Sequence, residues 1–184
     1  MSTIKWTIDP AHSEITFKIK HLMISTVTGH FKKFNLEGET ETNDFKTANK
    51  IDFTADVDLI DTNNEQRDAH LKSADFFNIE KNPQIHFEGK KYEINGDEGT
   101  ISGDLTIAGI TKAITLNVEF GGIVVDPYGQ TKAGFTVAGK INRKDFGITY
   151  NSTLEAGGVL LGDEIKINAE IQLIKQQVEN QLVA

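Results

Sequence analysis

The sequence predicts an all-β fold: one closed, eight-stranded, antiparallel, lipocalin-like barrel with one short side helix. Three observations carry that expectation. Apolar and polar residues alternate with period two along most of the chain, the mark of strands with one buried face. Short segments rich in Gly, Asn and Asp separate the alternating runs. All three prolines lie in breaks and none inside a run.

Ile4, Trp6 and Ile8 alternate with polar neighbours until Asp9-Pro10 interrupts them. Ile15, Phe17 and Ile19 form the apolar face of the first main strand. Val27, Gly29 and Phe31 open the second, which ends near Gly38, and the third runs from Ile51 through Phe53, Ala55 and Val57 to Leu59. Thr62-Asn63-Asn64-Glu65 then has the form of a capping box, with Thr and Glu serving orphan amides at a helix start. It predicts a helix of about three turns near residues 63–73, with Asp68 and Lys72 as an i, i+4 pair. Ile85 and Phe87 lead a fourth strand toward the turn Asn95-Gly96. Ile101, Gly103, Leu105 and Ile107 make the fifth, and Ile114 to Phe120 the sixth, ending near Gly121-Gly122. Ala133, Phe135, Val137, Gly139 and Ile141 make the seventh, and Ile165 to Leu173 the eighth. Hairpin-length connections favour an up-and-down barrel over a Greek key.

The 184 residues suit a single domain, expected over 1–175, with a loose tail over 176–184. A net charge of −8 argues against nucleic acid and against docking on an anionic membrane, both of which call for clustered Lys and Arg. Without cysteine there are no disulfides, no thiolate catalysis and no Cys-based zinc site. The N-terminal residues do not read as a signal peptide, so the expectation is a cytoplasmic protein, or a periplasmic one if a signal has been removed. No stretch is apolar enough for stable membrane insertion.

An eight-stranded barrel is either filled by its own side chains or holds one small ligand. Gly29, Ala55, Gly103, Ala133, Gly139 and Ala169 stand on the inward parity. They either leave a tunnel or relieve crowding where strands coil. Phe17, Phe31, Phe53, Phe87, Phe120 and Phe135 share that parity and either wall a cavity or fill a core.

Several phrases are more specific than the alternation. They include Trp6 to Phe17 (WTIDPAHSEITF), Val27 to Phe31 (VTGHF), Ile60 to Ser73 with its Arg67-Asp-Ala-His70-Leu, and Ala74 to Phe77. Gly103 to Thr111 and Ile141-Asn-Arg143-Lys-Asp-Phe146-Gly147 complete the series. In this order, over residues 4–175, they resemble the YceI-like family, lipocalin-like polyisoprenoid-binding proteins. The resemblance implies a barrel with a side helix and an elongated pocket for isoprenoids or other long-chain amphiphiles. Many relatives carry a signal peptide, and this chain departs from them in showing none.

Arg67 and Arg143 are the only arginines, and guanidinium groups suit carboxylate or phosphate. They are candidates for a polar head group at the pocket mouth; the competing reading pairs them with Asp68 or Asp145 to pin the fold. His70, one helical step from Arg67, and His21, at the end of the Ile15–Ile19 parity, are further candidates at the mouth. The five histidines match no zinc motif, and neither metal nor cofactor is expected. The expected ligand-binding set is therefore Phe17, His21, Phe31, Phe53, Arg67, His70, Phe87, Phe135 and Arg143. The function expected is carriage or sequestration of an isoprenoid quinone, polyprenyl phosphate, fatty acid or fatty amide, rather than catalysis. The alternative is an enzyme acting on such a lipid through Arg67, His70 and Arg143. Assembly as a homodimer stays open.

Overall fold

The computed structural model describes residues 3–155 and 157–176. Three of the eight barrel strands are kinked into two segments each. The first comprises β1 (Ile4–Ile8) and β2 (Glu14–His21), bent at a 3₁₀ turn over Pro10–His12. The second comprises β3 (Ser25–Phe31) and β4 (Phe34–Thr40), and the third β5 (Ala48–Asp56) and β6 (Ile60–Asp61). The helix α1 (Glu65–Lys72) follows, then β7 (Gln84–Asn95), β8 (Glu98–Ile107), β9 (Ile110–Val125), β10 (Thr131–Asn142) and β11 (Leu161–Lys175). Each barrel strand pairs antiparallel with the next. The long β11 closes the ring, pairing with β2 over much of its length and with β1 at its end. This is the closed up-and-down barrel that the alternation predicts.

The kink at Asp9 has a local cause. Pro10 lacks the N–H that a ladder needs, and the Asp9 carboxylate accepts from the amide of Ala11 instead. Asp9 also meets His12 at 2.8 Å and Lys132 at 3.1 Å, which ties the bend to β10. Bulges shift the register elsewhere. One between Gly89 and Lys91 turns Tyr92 and Ile94 inward after Phe87, a change of parity that alternation does not reveal. β9 continues past Gly121-Gly122 to Val125, because β10 still offers partners down to Thr131 and Gly122 adopts φ +113°.

The helix is shorter than expected and is capped differently. Asn64, not Thr62, is the N-cap, its side chain accepting from the amide of Arg67 at 2.9 Å. Thr62 is engaged by Asp68, whose carboxylate accepts from both the amide and the hydroxyl of Thr62. Lys72 reaches Asp58, at 3.7 Å, rather than forming the expected pair with Asp68. The expected tail lies outside the described residues beyond Gln176, whose amide group donates to Thr7.

Two clusters make up the interior. The larger gathers Ile15, Phe31, Ile85, Phe87, Leu105 and Phe146 along the barrel. The smaller, around Trp6, Leu36, Phe45 and Leu173, sits at the end where β1 meets β11. Trp6 is fully buried and donates its indole N–H to Thr40 Oγ1 at 2.9 Å. Phe45, on a 3₁₀ turn over Phe45–Thr47, packs tilted against Trp6 and edge-on against Phe135, each with centroids 4.8 Å away. These rings plug one end.

Candidate functional site

Between the two clusters the barrel encloses a cavity of about 210 Å³. That is room on the order of fifteen water-sized groups. Its wall is almost wholly apolar. On β11 alone, Ile165, Ile167, Ala169, Ile171 and Leu173 all line it. Those residues span roughly 27 Å of strand, or about 20 Å along a barrel axis once the usual tilt is allowed for. The space is therefore long and narrow.

The inward parity of Ile15, Phe17, Phe53, Phe87, Leu105, Leu116, Phe135 and Ile167 is as the alternation predicts, and all eight line the cavity. Phe31 joins them. The inward glycines do not create the space. A Cβ on Gly29 would lie 2.2 Å from the Phe17 ring, so that ring already covers the gap opposite its own strand. Leu116 covers Gly139 in the same way, and Gly103 lies against the backbone of Glu88. The glycines relieve crowding, and the cavity lies farther in, between the large side chains.

Arg143 lies on the cavity wall and is only 2% exposed. A 3₁₀ turn over Arg143–Phe146 places it, with Asn142 as its cap and Gly147, in left-handed conformation, as its exit. The Nε donates to the Gly162 carbonyl at 2.9 Å. The Nη1 donates to the carbonyls of Ile148 at 3.0 Å and Tyr150 at 2.7 Å. Asp163, 3.7 Å from Nη2, is an ion-pair neighbour beyond hydrogen-bond reach, and the expected partner Asp145 is not involved. Nη2 is buried without a hydrogen-bond partner. Burial lowers the guanidinium pKa and Asp163 partly offsets this; as arginine does in proteins, the group stays charged. A buried cation, two of whose five N–H groups make no hydrogen bond, is the chief polar feature of this wall.

His21, Arg67 and His70 are not on the cavity wall. His21 pairs with Ser25 at the tip of the β2–β3 hairpin. Arg67 folds back onto its own loop, donating to the hydroxyl and carbonyl of Thr62. His70 meets Asp75 at 2.8 Å and packs edge-on against Phe76 and Tyr150. These contacts fasten the α1 loop to the segment after Arg143.

The alternation gave no role to several residues on the wall. Phe45 sits in a turn, where period two does not apply. Phe77 faces Phe31 edge-on at 6.5 Å and lines the cavity; its neighbour Phe76 seats the loop. Phe146 is 1% exposed. It belonged to a recognised phrase, and its burial next to Arg143 gives that phrase a physical meaning.

Histidine–carboxylate pairs do occur: His86 with Asp52, His30 with Glu14, and His12 with Asp9. They lie outside the cavity wall, as does His70–Asp75. Among the described residues no three His, Cys, Asp or Glu side chains gather as a metal site would require. Among the same residues no helix is long and apolar enough to cross a membrane.

Comparison with known proteins agrees with this architecture. A UPF0312 protein of Staphylococcus epidermidis is 46% identical over 169 residues, covering 91% of this chain and 96% of its own. The crystal structure of the Campylobacter jejuni YceI protein superposes with a TM-score of 0.73 at 38% identity, covering 87% of this chain and 91% of that one. A polyisoprenoid-binding domain from Saccharophagus degradans shares the fold, with a TM-score of 0.66 at 11% identity over 93% of this chain and 98% of that one. The sequence profile of the YceI-like domain matches residues 6–173, and the chain belongs to that family.

Proposed function

We propose that the protein carries or sequesters a long-chain amphiphile, its tail in the barrel and its head group at Arg143. The observation that supports this best is the long apolar cavity with the buried Arg143 on its wall, whose Nη2 makes no hydrogen bond. Phe17, Phe31, Phe53, Phe87 and Phe135 form the aromatic wall for the tail, and each CH₂ buried there contributes about 0.8 kcal/mol. Little directional chemistry is needed for such a ligand, which fits a wall with so few polar atoms. The head group that satisfies Nη2 carries an acceptor oxygen: a carboxylate, a phosphate, or the carbonyl of a quinone or amide. Arg67, His70 and His21 then act on the loops around the site rather than on the ligand.

The family resemblance points the same way, and the Saccharophagus degradans domain is itself described as polyisoprenoid-binding. The rival reading, an enzyme acting on a lipid, needs a nucleophile or acid–base pair facing the cavity. The histidine–carboxylate pairs face away from it.

Mass spectrometry of protein purified without detergent tests the proposal. Carriage predicts an unchanged long-chain lipid in stoichiometric amount. An empty barrel that also takes up no added quinone, polyprenyl phosphate, fatty acid or amide would refute it. Conversion of an added lipid would favour the enzyme.

A further inference from the structure

Between β9 and β10 the barrel wall splits. The two strands are laddered from Val125–Thr131 to Asn117–Ala138. Past that point the first part of β9, up to Leu116, pairs with β8, while the last residues of β10, from Gly139, pair with β11. Outside the split lies a surface cleft of about 460 Å³ whose rim includes Lys112, Lys140 and Asp163. Ile114, Ile141 and Phe146 line both this cleft and the interior cavity. Lumen and solvent are thus separated here by three side chains and by no described backbone ladder.

We propose that this split is a lateral portal through which the long-chain tail enters and leaves the barrel, an inference that rests on the carrier reading above. The argument turns on what must break. Parting laddered strands sacrifices several backbone hydrogen bonds together. At the plugged end, Trp6 and Phe45 would have to unpack. At the Arg143 end, the three bonds from its guanidinium to backbone carbonyls stand in the way. At the split, the segments beyond Leu116 and Gly139 share no ladder, so they part slightly as Ile114 and Ile141 change rotamer and Phe146 swings aside. Phe146 rides on a 3₁₀ turn rather than a ladder, so its ring can turn about its own side-chain bonds while the Arg143 bonds and the sheet stay intact. The rim carries charges of both signs, including Asp145 and Glu164, so it stays hydrated without favouring one sign of head group. An aliphatic or isoprenoid chain, thin and apolar, fits such a slit.

The absence of cysteine makes a direct test clean. A Cβ placed on Gly139 lies 4.0 Å from the Leu116 Cα, so Leu116→Cys with Gly139→Cys is within reach of a disulfide at the start of the split. The probe is cis-parinaric acid, whose fluorescence rises in apolar surroundings, and its exchange is followed in the oxidised and reduced forms of the same variant. The portal predicts exchange about tenfold slower when oxidised, with unchanged equilibrium affinity. Ile114→Ala, which trims the gate without any cross-link, should speed exchange. Equal exchange in oxidised and reduced protein, or no change in Ile114→Ala, with binding intact, overturns the portal alone. Failure of the unaltered protein to bind the probe or any long-chain lipid overturns the carrier reading and the portal with it.

Discussion

The two ends of the barrel are closed by opposite means. Where β1 meets β11, Trp6 and Phe45 fill the lumen with rings, and the side-chain bond from Trp6 to Thr40 joins two residues both nearly without exposure. Where β10 gives way to β11, closure depends on Arg143 and the carbonyls it binds. Ring packing leaves nothing for a ligand to satisfy. At the Arg143 end, Arg143 lines the apolar cavity, and its Nη2, with Asp163 3.7 Å away, makes no hydrogen bond. A closure by packing serves stability alone, whereas a closure by a partly satisfied cation can also hold a head group.

The largest effect expected from this contrast is on stability. Trp6→Ala should cost about 3–5 kcal/mol, since a fully buried ring is lost from a packed plug. Leu116→Ala, on a wall that already borders empty space, should fall at the low end for such truncations, about 2 kcal/mol. Denaturant midpoints of the two variants measure the difference. Equal losses would mean that the plug is no better packed than the cavity wall.

Arg143→Met comes next. It strands the carbonyls of Gly162, Ile148 and Tyr150, and should cost about 3 kcal/mol of stability. For protein that remains folded, titration with ligands of equal tail length should show a selective loss. An anionic head should lose roughly 1.5–3 kcal/mol, the worth of a charge-assisted bond, and a neutral hydrocarbon nothing. Equal losses for both would confine Arg143 to holding the fold.

A smaller effect belongs to the outer network of Asp9, Lys132 and Asp126, where Lys132 is 3.1 Å and 3.5 Å from the two carboxylates. Burial alone would raise the Asp9 pKa, but hydrogen bonds from His12, Lys132 and the Ala11 amide outweigh it and hold it below the usual carboxylate range. The Gln130 amide leads in lowering Asp126, against some burial, and Tyr128 and Lys132 assist. Lys132 is raised, chiefly by its bond to Asp9. The carboxylates therefore stabilise the fold above an unfolded pKa of about 4, and that contribution fades as pH falls through their lower folded values. Lys132 contributes below about pH 10 and loses its effect as pH rises through its higher folded value. Melting curves across pH should be flatter at both extremes for Lys132→Met. An unchanged acid limb would mean that other carboxylates govern acid unfolding.

The strands and the aromatic wall could be read from sequence because alternation on a closed sheet dictates which side chains face inward. Phe17, Phe53 and Phe135 needed nothing more. What escaped detection is irregular backbone. Phe45 plugs one end and Phe146 lines the cavity, both from 3₁₀ turns, and Tyr92 turns inward only because a bulge precedes it. The helix cap moved from Thr62 to Asn64 because Asp68 recruits Thr62, a contact that the capping-box spacing does not encode. Arg67 and Arg143 are alike as isolated residues. Only the fold shows that one bonds within its own exposed loop and the other is buried beside the cavity.

The central claim, that carbon burial in this cavity drives binding, is tested most directly by calorimetry with a series of fatty acids of increasing chain length. The account predicts that affinity rises by about 0.8 kcal/mol per added CH₂ until the cavity is full, then levels off. Binding that does not depend on chain length would contradict it.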